Sequence, residues 1–248
     1  MDLELRDRFV ERWPRYFGGA ELPITFFYTD EESRAELAPM PSDHECLLGS
    51  LGRVRHGQSM TFDAARVGCG GGKRYLGFTQ ELRPEFEYFL SCGIPGTLEG
   101  ERYKRSPELV RAFIARAPRF VAPARYIVFK RWDALEARDT PEVAIFFARP
   151  DVLSGLFTLA NFDAVEPNAV FAPFAAGCGS IVQYPYLERT AALPRAVLGM
   201  FDVSARPYVP GDVLTFAVPM TRLAAMIENM GESFLITHSW EKVRQRLA

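Results

Sequence analysis

The chain has 248 residues, 48% of them hydrophobic and 24% charged, with a net charge of −2 and a pI near 6.0. That balance suits a globular protein with a sizeable core and argues against a nucleic-acid binder, which would be clearly basic. Apolar runs stop short of the roughly 20 residues of a membrane span, and MDLELRDRFVERW alternates charge where a signal peptide would be apolar. The expectation is a cytoplasmic protein with reduced thiols.

Leu5, Phe9 and Trp13 recur at helical spacing and predict a first helix that bends or stops at Pro14. After Gly18 and Gly19, the run PITFFYT reads as a buried strand. Glu31 to Pro41, polar and broken by prolines, reads as a loop. Ser42 with Glu45 makes a capping-box pattern ahead of a helix whose first turn holds Cys46 and whose apolar face is Leu47, Leu48, Leu51 and Val54. Gln58 to Phe62 fits a short strand leading into a glycine-rich loop, RVGCGGGKRYLGF.

Pro84 to Leu90 reads as helical. Ser106-Pro107-Glu108 is a helix start, and Leu109, Val110, Phe113 and Ile114 form the stripe that follows it. RYIVF, EVAIFFA, RAVLGMF and VLTFAVP read as strands. Helices begin after Pro150 and Pro219, the second ending at Gly231, and a short one spans Trp240 to Leu247. This alternation predicts an α/β fold, with α+β as the alternative: a mixed sheet with helices packed on it. Residues 1–248 read as one domain, the alternative being two subdomains dividing near 120–140. PITFFYTDEES and EVAIFFARPDV echo one another, which leaves two similar halves as an option.

Three chemistries compete for the polar residues. Cys46 at a helix start, Cys69 beside three glycines, Cys92 before GIPG and Cys178 between Gly177 and Gly179 are candidate metal ligands. Thiolates are stabilised at helix N-termini, and small neighbours leave room for a cluster whose sulfides accept N–H bonds. Their wide spacing contains no C-x-x-C pair, so the fold would have to assemble any shared site. Alternatively, Gly70, Gly71 and Gly72 with Lys73, Arg74, Arg102 and Arg206 could cradle a small anionic metabolite, although the Walker spacing is absent. The third reading is an interaction module whose cysteines are only core. Asp202 could orient a ligand or cap a turn.

Taken in order, LPITFFYTD, HECLLGSLGRVRHGQ, CGGGKRYLGF, GERYKRSPELV, FARPDVL, AGCGSIVQYP and GMFDVSARPYVPGDVLTFAVP resemble the uncharacterised family known as domain of unknown function 169, from about Phe17 to Leu235. The resemblance implies that Cys46, Cys69 and Cys178 occupy the family's characteristic cysteine positions. It also implies that Met200 stands where many relatives carry another cysteine. The expectation that follows is an iron–sulfur cluster, or alternatively zinc, held through Cys46, Cys69 and Cys178. Cys92, an oxygen or nitrogen ligand, or an open position would complete it. A redox partner is the partner such a protein would have; separately, the 13% aromatic content, with 20 phenylalanines, leaves a homodimer face as an option.

Overall fold

A computed structural model describes residues 1–247. In chain order the elements are α1 (Leu3–Phe17), β1 (Ile24–Thr29), β2 (Glu36–Leu37), α2 (Leu47–Arg55), β3 (Met60–Phe62), α3 (Gly70–Tyr75), α4 (Phe86–Phe89), α5 (Pro107–Arg116) and β4 (Tyr126–Arg131). There follow β5 (Val143–Ala148), α6 (Pro150–Ala160), β6 (Val170–Phe171), a π-helical turn (Gly179–Gln183) that runs into α7 (Tyr184–Glu188), β7 (Ala196–Gly199), β8 (Leu214–Pro219), α8 (Met220–Asn229) and α9 (His238–Arg244). The class is α/β with a mixed sheet, as expected.

The eight strands form one sheet in the order β2-β3-β4-β1-β5-β8-β7-β6. This is one arrangement used twice, since β2-β3-β4-β1 maps onto β6-β7-β8-β5. In each half the outer pair is parallel and the inner pairs are antiparallel. The registers agree: β1 pairs β4 from Ile24↔Arg131 to Thr29↔Tyr126, and β5 pairs β8 from Val143↔Pro219 to Ala148↔Leu214. The halves join where β1 meets β5 antiparallel, and Thr25 pairs with Ala144, the second residue of each strand. The echo between PITFFYT and EVAIFFA is therefore structural: two equivalent six-residue strands lie side by side at the centre.

Both faces of the sheet are covered, which explains why its central strands are nearly continuous apolar runs. On one face Phe26, Phe129, Ile145 and Ala217 pack beneath α2 and the π-turn, through Leu48, Leu51, Ile181 and Val182. On the other face Phe146, Phe216 and Val218 pack against α1, α6, α8 and α9. There Phe9, Trp13 and Phe17 of α1 stack in series, with ring centroids 5.1 and 4.2 Å apart.

Some local expectations needed correction. α1 does not stop at Pro14. It continues to Phe17 and closes at Gly18 (φ 58°), because burial of Tyr16 and Phe17 outweighs the one helical hydrogen bond that proline cannot donate. Ser42 and Glu45 do not cap α2; Cys46 is its N-cap. Glu45 is instead pressed against Gly68, where a Cβ would lie 2.8 Å from Glu45 Cβ and 2.9 Å from its nitrogen. The glycine-rich segment is not a loop, since Gly70–Tyr75 is helical. The polar stretch after residue 31 contains β2, whose two residues are too few for sequence periodicity to reveal.

A buried ion pair ties the β4–β5 connection to the sheet. Lys130 and Asp139 are almost fully buried and meet at 2.9 Å. Asp139 also accepts from Glu136 N–H at 2.8 Å. Removing one partner of such a pair strands the other charge in the core. Asp139→Ala should therefore cost about 3–5 kcal/mol, read from urea midpoints, and Lys130→Met combined with Asp139→Leu should recover part of it. A loss below about 1 kcal/mol would refute this role.

Candidate functional site

The repeated half places a helix start at equivalent points. Between β2 and β3, α2 opens from Cys46; between β6 and β7, the π-turn opens from Cys178. The segments that follow β3 and β7 bring Cys69, the N-cap of α3, and Met200 with Asp202. Cys46, Cys69, Cys178 and Met200 meet on the α2 face of the sheet, with Asp202 tied to them through Gly177. Cys69 and Cys178 belong to its core cluster, with Cys46 packed against it.

Glycine permits this convergence. A Cβ on Gly177 would sit 2.9 Å from Ala205 Cβ, 3.0 Å from Leu48 Cδ1 and 3.4 Å from Met200 Sδ. Gly177 thus lets the start of the π-turn lie directly against α2 and the 200–205 turn. On Gly179 a Cβ would be 3.2 Å from the Tyr75 ring. Asp202 fastens the same junction: its carboxylate accepts from Gly177 N–H at 2.9 Å, and from Ser204 N–H and Oγ at 3.1 and 2.8 Å. Met200 is fully buried and holds φ 72°, a conformation unfavourable for any side chain except under constraint.

The thiols sit among opposing influences. Cys69 Sγ accepts from Gly72 N–H at 3.2 Å. Burial raises the Cys46 pKa from the usual 9.0, the N–H groups of Leu48 and Gly49 oppose that rise, and the neighbouring Cys69 adds to it. Burial also pushes Cys178 well above 9.0, and Cys69, Cys46 and Asp202 raise it further. Each of these charges would repel a thiolate on Cys178. For Cys46 and Cys178 burial outweighs the neighbouring N–H groups, and both thiols stay protonated at neutral pH. Among the described residues, no group of three or more His, Cys, Asp and Glu side chains is arranged to hold a metal ion.

The other candidates lie elsewhere. Cys92 is exposed on the turn after α4, with Sγ 3.4 Å from its neighbour's carbonyl, Gly93 O, and borders a shallow cleft with Arg102. Gly70, Gly71 and Gly72 form the first turn of α3, and a Cβ on Gly72 would lie 2.7 Å from Val67 Cγ1 and 2.9 Å from Cys69 Sγ. Lys73 and Arg74 follow in its last turn. Arg206 uses its guanidinium on the carbonyls of Pro210, Gly211 and Val213, closing its own turn. Arg74 and Arg102 border different clefts. Sequence reasoning passed over Tyr75, whose ring covers Gly179. The only available signal was an aromatic six residues after Cys69.

The raised thiol pKa values have a definite consequence for the metal-free protein. Above pH 9.0 the unfolded chain loses these protons before the folded one does, so stability falls as pH rises through and beyond that value. Denaturant midpoints should drop between about pH 8 and about pH 10, and Cys178→Ala should shallow the slope. An identical slope in the variant would contradict the assignment.

Residues 21–229 match the model of a family described as Uncharacterised ArCR, COG2043. No curated protein and no solved structure matches the chain. With that match covering most of its length, the chain belongs to this uncharacterised family, domain of unknown function 169.

Proposed function

We propose that the protein binds an iron–sulfur cluster, or alternatively a zinc ion, through Cys46, Cys69 and Cys178, in the reducing setting of the cytoplasm. One observation carries the reading: three thiols remote in sequence, each at the start of a helical segment, come near one another beside Asp202, with Cys69 and Cys178 buried and Cys46 half-buried. A donor set of three sulfurs and no histidine suits soft, thiophilic centres. Gly72, Gly177 and Gly179 keep the surroundings small, and backbone N–H groups already point at the sulfurs of Cys46 and Cys69.

Ligation asks the side chains to rearrange, since no group of three donors among the described residues is already placed for a metal. It also asks the thiols to lose their protons, so binding should release protons and strengthen with pH. Cys92 is a poor fourth ligand for this cluster, because it is exposed on a separate turn. Asp202, the Met200 sulfur or an open position are better placed to complete the site. An open position would favour sensing or catalysis over electron transfer alone. The exposed rings of Phe201 and Tyr208 near Asp202 and α2 offer a surface for a redox partner.

The test is anaerobic purification with iron, zinc and acid-labile sulfide analysis and an absorption spectrum. Wild-type protein and Cys92→Ser should carry the centre, whereas Cys46→Ser, Cys69→Ser and Cys178→Ser should each lose most of it while remaining folded. Colourless, metal-free protein that stays empty after reconstitution would end the proposal.

A further inference from the structure

The second half passes from β7 to β8 through residues 200–213, whereas the first passes from β3 to β4 through residues 63–125. The extra chain contains α3, α4 and α5, and between them it forms a cleft of about 390 Å³, in the size range of small-molecule sites.

Its floor is apolar, built from Leu82, Phe86, Val110 and Ile114, and its rim is cationic. Arg74, Arg111 and Arg119 face it with a single carboxylate, that of Glu87. Arg111 is already satisfied, lying 3.1 Å from Glu87 and 3.0 Å from Glu108. Arg119 has no carboxylate partner among the described residues, and Arg74 donates only to a carbonyl, Gln80 O. Gln80 in turn donates to Phe120 O, which holds the Arg74 and Arg119 segments together on one side of the cleft. Two guanidinium groups without counter-charge over an apolar floor are complementary to a carboxylate on an apolar body.

We infer that this cleft binds a small amphipathic carboxylic acid, with its acyl or aryl body on Leu82, Phe86, Val110 and Ile114 and its carboxylate between Arg74 and Arg119. The site is independent of the thiol cluster. It also differs from a glycine-loop cradle: of the cations considered from sequence, it keeps Arg74 and leaves out Lys73, Arg102 and Arg206.

The test is calorimetric titration of the full chain at low salt with octanoate, its neutral analogue octanamide, and inorganic phosphate. Octanoate should bind about tenfold or more tightly than octanamide, the effect of one charge-assisted contact. Arg119→Gln should remove most of that preference. Ala115→Trp, at an exposed position on the rim, should block both organic ligands, and Lys242→Gln, an exposed charge on α9, should leave binding unchanged. Equal affinity for octanoate and octanamide would overturn the inference, as would binding of phosphate alone, an unchanged preference in Arg119→Gln, or no binding at all.

Discussion

The antiparallel contact between β1 and β5 is the constraint on which the rest of the molecule depends. It joins two units of the same strand order, and through the Thr25↔Ala144 pair it sets them in a two-fold relation. The ladder is short, three residue pairs, and a side chain prolongs it. Beyond Phe26, Glu142 donates its N–H to Phe26 O, and its carboxylate accepts from Tyr28 N–H at 3.1 Å. Burial raises the Glu142 pKa, while that N–H and the nearby Arg189 favour its charge. A polar side chain thus completes the backbone pairing where the strands separate, as a buried N–H requires.

The two-fold relation also accounts for the thiol cluster. Each unit inserts a helix between its second and third strands, and both helices lie on the same face of the sheet. Their N-termini, at Cys46 and Cys178, therefore approach one another near the junction of the units, and the segments after β3 and β7 close over them. Gly177 is there because the approach leaves no room for a Cβ atom, and Gly179 eases the contact with the Tyr75 ring. A cluster made of equivalent pieces from two units draws its thiols from distant parts of the chain, which is why no short cysteine motif marks it.

Symmetry is broken where the chain differs most. The long β3–β4 connection has no counterpart in the second unit and contains the arginine-rimmed cleft. α3 belongs to both regions, with Cys69 at its N-cap and Arg74 in its last turn. One short helix therefore lies between a buried sulfur cluster and a cationic surface cleft.

Much of the secondary structure was legible in the sequence. β1, β4, β5 and β8 are six-residue apolar strands buried on both faces, so hydrophobicity alone marks them. α5 announces itself through Ser106, whose side chain accepts from Leu109 N–H, and Pro107. β2 and β6 have two residues each and exist only because a neighbouring strand pairs with them. The helical state of Gly70–Tyr75 runs against glycine's propensity, and it rests on the Cys69 cap and tight packing around Gly72. For the site, local sequence named Cys46, Cys69 and Cys178 by their glycine and helix-start surroundings, but it could not separate them from Cys92. That Cys92 lies exposed on a separate turn while the other three gather at one core cluster was decided by the tertiary structure, because proximity between residues far apart in the chain comes from sheet order and register, and no local pattern encodes either.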